Sequence, residues 1–153
     1  MSIAVAGEQR QVGQLRWEVL GPWRPQGSGE EGDGANNASV VMLLAVNGHR
    51  MLLTGDAEPE EEIDIIRSGA DLAVDVLKVS HHGSANQDPD FVAATQAAVA
   101  LISVGRDNDY GHPTVETLTQ LERLGADVHR TDIDGDIAVV DRGDGLAVST
   151  SRP

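Results

Sequence analysis

The stretch VDVLKVSHHGS (residues 74 to 84) decides how the chain is read. Its first seven residues are too uniformly apolar for a strand with one wet face, so they predict a strand covered on both faces, as in sheets whose parallel strands are joined by helices. Two adjacent histidines follow at once, then glycine and serine. Beyond them, Asp88-Pro89 offers an N-cap and a first helical residue for DFVAATQ.

The same order of buried strand, polar turn and helix recurs on both sides. Upstream, SVVMLLAV (39 to 46) and HRMLLTG (49 to 55) flank Asn47-Gly48, a strong hairpin signal because both residues tolerate positive φ. The hairpin ends at Gly55-Asp56, and EPEEEIDIIRS (58 to 68) then predicts a helix with acids in its first turn and an arginine in its last. Downstream, AVALISVG (98 to 105) predicts a buried strand and RDNDYGH a loop. PTVETLTQLERLG (113 to 125) predicts a helix with Val115, Leu118, Leu121 and Leu124 on one face. GQLRWEVLG (13 to 21) predicts a strand with Leu15, Trp17 and Val19 on one side. The segment 22–38, opening PWRPQGSGEEGDGANN, predicts a flexible acidic and glycine-rich loop. DVHRT and DIAVVD predict strands around a turn at Asp134-Gly135, and Asp144-Gly145 begins a last hairpin. The pattern is that of an α/β sandwich rather than an all-β fold.

At 153 residues the chain is the size of one domain. Asp and Glu number 25 against 11 Lys and Arg, a formal charge of -14 that repels phosphate backbones and anionic lipid. Contact with nucleic acid therefore requires a locally positive site. The absence of cysteine excludes disulfides, thiolate metal ligands, zinc fingers and a cysteine nucleophile. No apolar run reaches the length of a bilayer span, and MSIAVAGEQRQVG lacks the basic flank and long apolar core of a signal peptide.

Three polar turns carry the candidate chemistry. Asp56, the pair His81 and His82, and the loop ending in His112 each fall after a strand and before a helix. If those strands run parallel, all three share the carboxyl edge of the sheet, where ligands bind in open α/β folds. An Asp with one or two imidazoles suits zinc, manganese or iron, which lower the pKa of bound water. Gly83 admits a phosphate or another backbone at close range, and Ser84 supplies a hydroxyl donor. The Gly-His-Pro step leads into a helix whose free N–H groups favour an anion, with His112 donating to it and Arg106 adding positive charge. Plainer readings stand beside each of these. Asp56 is an ordinary turn residue, a His-His pair often sits hydrogen-bonded on a surface, and His112 may be no more than the residue before a helix. His49 and His129 have no suitable carboxylate neighbours in the sequence and are read as structural. Asp132, Asp134 and Asp136 have the spacing of a calcium loop, but Ile137 stands where that loop requires glycine, so a hairpin turn is the better account.

Four blocks, NNASVVMLLAVNGHRMLLTGDAE, DVLKVSHHGS, ISVGRDNDYGHP and RTDIDGDIAV, together resemble the metallo-β-lactamase-like domain of the ComEC family, membrane proteins of DNA uptake in natural competence. The resemblance implies an αββα sandwich in which Asp56 bridges two metals and the His-His-Gly-Ser block supplies a further ligand, His82 in preference to His81. It implies catalytic roles for His81, His112 and Ser84, and contacts from Gly83, Arg106, Asn108 and Tyr110 to the substrate phosphate. The implied cofactor is zinc or manganese, and the implied reaction is a DNase step on single-stranded or double-stranded DNA. The family's His-x-His-x-Asp-His motif is absent, and none of the five histidines has its spacing. The expectation is therefore the C-terminal half of the fold, with weak metal binding and little hydrolysis in isolation, the intact parent being the enzyme. Half a fold leaves strand edges open to the missing N-terminal half or to a second copy. The chain is then a soluble domain of a membrane-anchored protein, with no membrane contact of its own. Two rival readings remain: a phosphorylcholine-esterase-like hydrolase of the same fold, and a non-catalytic acidic module that binds a basic partner.

Overall fold

The structure is a computed structural model and describes residues 4–23 and 35–152. The centre of the expected 22–38 loop, residues 24–34, lies outside the described residues, and Asn36–Ala38 after it form a single 3-10 turn.

Strands Gln9–Val12 (β1), Leu15–Gly21 (β2), Val41–Val46 (β3), His49–Leu53 (β4), Val76–Lys78 (β5), Val99–Ile102 (β6) and Asp127–Arg130 (β7) form one sheet in chain order. The first four pair antiparallel, and β4 through β7 pair parallel. Asn47 and Gly48 both take positive φ, 53° and 86°, and close the β3–β4 hairpin with Val46 opposite His49. Each parallel step then requires a crossover. Pro59–Arg67 (α1), Pro89–Thr95 (α2) and Val115–Arg123 (α3) supply these in turn. The helix starts follow from their sequences: Pro59 opens α1 ahead of Glu60, Glu61 and Glu62, and the Asp88 carboxylate accepts from the amides of Asp90 and Phe91 at the head of α2. Thr114 rather than Pro113 caps α3 and accepts from the Thr117 amide.

Leu52, Ile65, Leu77, Phe91, Ile102 and Leu121 are all but fully buried between the sheet and the three helices. Each such side chain contributes about 1.5–3 kcal/mol on leaving water. Alternation along the strands sends Met51 and Val76, paired across β4 and β5, to the opposite face from Leu52 and Leu77. That second face is apolar as well. It is partly covered by a separate two-stranded sheet of Ile137–Asp141 (β8) and Leu146–Thr150 (β9), across a groove of about 170 Å³ lined by Leu44, Met51, Val76, Val139 and Leu146 among others. Helices, large sheet and small sheet thus make three layers.

One expectation is corrected and one strand is added. The segment around Asp134-Gly135 is not a hairpin: β7 belongs to the large sheet, β8 to the small one, and a helical turn, Thr131–Asp134 (α4), separates them. The acids there serve the backbone and a neighbouring cation. Asp134 accepts from the Arg130 amide at 2.7 Å and Asp132 from its guanidinium at 2.6 Å, which folds the chain back before a β-turn could pair the strands. Secondly, β1 is an exposed edge strand for which the sequence reading has no counterpart, because QRQV lacks apolar alternation. The hairpin at Asp144-Gly145 forms as expected, closed by a bond from the Arg142 amide to Gly145 O.

Candidate active site

Parallel pairing of β4, β5 and β6 brings the three polar turns to one edge, as the strand order requires. They surround a cleft of about 890 Å³ that Asp56, His81, His82, Arg106, Tyr110 and His112 help to line. His82 Nε2 stands 3.4 Å from Asp56 Oδ1, and His82 Nδ1 is 2.6 Å from Ser103 O. The carbonyl can only accept, so Nδ1 carries a proton, and Nε2 is the nitrogen that faces Asp56. A backbone carbonyl holding one ring nitrogen in this way orients the other for a metal. The His81 ring lies 5.6 Å from that of His112 and 6.4 Å from that of His82, edge-on in both cases.

The backbone reaches these positions by unusual conformations. His81 and His82 take φ of 44° and 55°, and Gly83 takes 83°. Left-handed backbone at two consecutive non-glycine residues costs on the order of 1–2 kcal/mol each. Strain of this kind concentrates where a site fixes its side chains. Gly83 packs directly under Pro113, and its carbonyl accepts from the Thr114 amide at 2.9 Å, so the His-His turn and the His112 turn are fastened to each other.

His81 Nδ1 and His112 Nδ1 are buried without a hydrogen-bond partner among the described residues. Glu58 Oε1, 3.5 Å from His81 Nδ1, is within ion-pair range but makes no hydrogen bond with it. Orphaned buried nitrogens are rare in folded proteins, and a catalytic role or a bound ion is among the reasons they persist. Burial first, and the nearby charges of His81 and His82 second, lower the pKa of His112 and favour its neutral imidazole.

The other predicted site residues are placed less uniformly. Arg106 and Tyr110 are exposed at the rim of the cleft. Asn108 also lines it, but its amide donates to His112 O at 2.5 Å and its Oδ1 accepts from the Tyr110 amide, so it shapes the loop. Ser84 is buried, with its Oγ accepting from the Asn86 amide, and the structure does not bring it to the cleft. His49 and His129 do have carboxylates beside them, contrary to the sequence reading. His49 lies between Asp75 and Asp141 at 3.7 and 3.6 Å, linking the large sheet to β8, and His129 lies 3.1 Å from Asp127. Neither lines the cleft.

Residues that sequence reasoning missed also serve the site. Lys78 Nζ donates to Gly55 O at 3.0 Å, beneath the turn that presents Asp56; burial lowers its pKa and the Asp56 charge partly offsets that. Its signal was available, since a lysine inside an apolar strand needs a partner. Thr131 Oγ1 donates to Val104 O and accepts from Val104 N, anchoring the loop after β6.

Asp56 and His82 fit part of a divalent cation's shell. They are two donors of the right kind, converging and oriented, but no group of three His, Cys, Asp or Glu side chains suited to a metal exists among the described residues.

The mixed sheet, with three polar turns at the carboxyl ends of β4 to β6, has the metallo-β-lactamase-like hydrolase fold. A solved structure from Parabacteroides distasonis, inferred to be a metal-dependent hydrolase, aligns with a TM-score of 0.50 at 17% identity, covering 83% of this chain and 56% of that one. At that identity the likeness is one of fold. In sequence the chain is homologous to one part of the ComEC/Rec2/ComA competence proteins. It is 36% identical over 132 residues to ComE operon protein 3 of Bacillus subtilis, covering 86% of this chain and 16% of that protein. It is 32% identical over 118 residues to Recombination protein 2 of Haemophilus influenzae, covering 76% and 15%. It is 31% identical over 102 residues to Competence protein ComA of Neisseria gonorrhoeae, covering 65% and 15%. The chain thus spans about a sixth of the length of the curated relatives it matches. No family model matches it. No helix among the described residues is long and apolar enough to cross a membrane.

Proposed function

We propose that this chain supplies the C-terminal part of a metal-dependent hydrolase domain acting on phosphodiesters, a DNase of DNA uptake in natural transformation, and that by itself it is largely inactive. The observation that carries the reading is the Asp56–His82 pair, 3.4 Å apart at the mouth of the cleft, with the far nitrogen of His82 anchored on Ser103 O. In this reading Asp56 and His82 hold a zinc or manganese ion together with ligands from outside the chain, and the ion supplies Lewis acidity to a phosphodiester. His112, whose pKa is lowered by desolvation and by the neighbouring histidines, and His81 contact the phosphate oxygens, each with a buried Nδ1 that no described residue satisfies. Arg106 at the rim offsets the repulsion that the chain's overall charge of -14 exerts on a nucleic acid. The apolar face of the sheet that β8 and β9 only partly cover receives the other half of the domain. The recombination and competence for which the Haemophilus influenzae and Neisseria gonorrhoeae relatives are named support DNA as the substrate.

The test is manganese-dependent hydrolysis of single-stranded DNA and of bis(p-nitrophenyl) phosphate, by this chain and by a full-length protein carrying it. We expect the full-length protein to cleave DNA and this chain to show little or no cleavage. Asp56→Ala in the full-length protein should lower the rate roughly 100-fold or more. Cleavage confined to the small diester would instead support the phosphorylcholine-esterase-like reading. No cleavage of either substrate, with partner binding indifferent to Asp56 and His82, would support the non-catalytic module.

A further inference from the structure

The third residue of the acidic run that opens α1 does not face solvent. Glu62 is fully buried, an unusual place for a carboxylate that has no salt bridge to a cation among the described residues. Its Oε1 accepts from Ser80 Oγ at 2.8 Å and its Oε2 from the Asp88 amide at 2.5 Å. Ser80 is the residue before His81. Asp88 caps α2, accepting from the amides of Asp90 and Phe91 at 2.9 and 3.0 Å. Between these two anchors runs the whole His-His-Gly-Ser turn, with its left-handed residues. A strained segment needs its ends held, and one side chain holds both.

We propose that Glu62 is a positioning residue for the candidate site, a buried carboxylate that fastens both ends of segment 80–88 to α1 and so fixes where His81 and His82 point. Its relevance to hydrolysis rests on the function proposed above; the fastening itself does not.

The fastening responds to pH. Burial is the largest influence on Glu62 and raises its pKa, the bonds from Asp88 and Ser80 lower it, and the charges of Asp88 and Glu58 raise it, giving about 7 against an ordinary 4.5. Glu58 is itself engaged by Asn36 Nδ2 at 2.8 Å and faces His81. Lifting the segment exposes Glu62 to water and returns its pKa toward 4.5. The closed form therefore holds the proton more tightly than the open one. Closure is favoured fully below pH 4.5, and that advantage is lost as pH rises through 7, where the ionised carboxylate must stay buried for the segment to remain closed.

Amide hydrogen exchange across residues 80–88, corrected for the intrinsic pH dependence of exchange, reads this directly in the metal-free chain. We expect the opening equilibrium of the wild type to rise roughly tenfold between pH 6 and pH 8, and that of Glu62→Gln to stay flat. Ser80→Ala removes a bond that lowers the pKa, so its midpoint should move to higher pH. That variant keeps the test decisive if Glu62→Gln folds poorly. A flat wild-type profile, the same rise in Glu62→Gln, or an unmoved midpoint in Ser80→Ala would overturn the proposal, the second of these assigning the titration to the histidines. No metal or substrate enters the measurement, so its failure leaves the hydrolase reading untouched, and failure of the hydrolase assay leaves the positioning role standing.

Discussion

Gly83→Ala is expected to destabilise the chain by about 3 kcal/mol, a loss of roughly 6–12 °C in Tm for a domain of this size. Two independent causes add. A Cβ on residue 83 would lie 2.5 Å from Pro113 Cβ and 3.1 Å from its Cα, and a proline ring against its own backbone has no rotamer to retreat into. The residue also sits at φ 83°, which side-chain-bearing residues adopt at a cost on the order of 1–2 kcal/mol. Against a total stability of roughly 5–15 kcal/mol for a protein domain, such a loss is large. Its functional consequence is specific: the contact joins the turn carrying His81 and His82 to the turn carrying His112. Gly105→Ala is the control, because Gly105 lines the same cleft yet a Cβ there meets nothing within 4 Å. Thermal unfolding followed by circular dichroism should show a large drop for Gly83→Ala and a small one for Gly105→Ala. Equal Tm values for the two would mean that the loops are not held together in this way.

The second large effect is on metal affinity. Asp56 is presented by a turn whose backbone is fixed independently of its carboxylate: the Asp56 amide donates to Ser39 Oγ, while Lys78 Nζ and the His81 amide both donate to Gly55 O. Asp56→Ala therefore removes a proposed ligand and leaves its frame intact. His82→Ala removes the other proposed ligand and the bond to Ser103 O. With only two donors converging among the described residues, losing either leaves a single ligand, and one carboxylate or one imidazole in water does not hold a divalent ion at micromolar concentration.

The parts of this account visible in the sequence are those that depend on local chemistry. Asn47-Gly48 fixed the hairpin, the unbroken apolar run around Leu77 marked a strand buried on both faces, and the placing of Asp56, His81–His82 and His112 after strands followed from the strand–helix alternation. What escaped is what distant segments decide. Glu62 looks like one of three equivalent acids at a helix start, and only packing against Ser80 and Asp88 distinguishes it from exposed Glu60. The turn at Asp134-Gly135 has hairpin residues, yet the bonds that Asp134 and Asp132 accept from the Arg130 amide and guanidinium, and the tie from Thr131 to Val104, send its flanking strands to different sheets. Gly83 allowed two neighbours on sequence grounds, a phosphate or a backbone, and the close neighbour in the structure is Pro113.

The most direct measurement is a calorimetric titration of zinc and manganese into this chain, alongside Asp56→Ala and His82→Ala. A preformed pair of donors predicts one weak site in the wild type, with Kd of roughly 10–100 µM or about -5.5 to -7 kcal/mol, and its loss in each variant. No binding by the wild type, or binding of equal strength in both variants, would contradict the claim that the aspartate after the β4 strand and the second histidine of LKVSHHGS form part of a metal site.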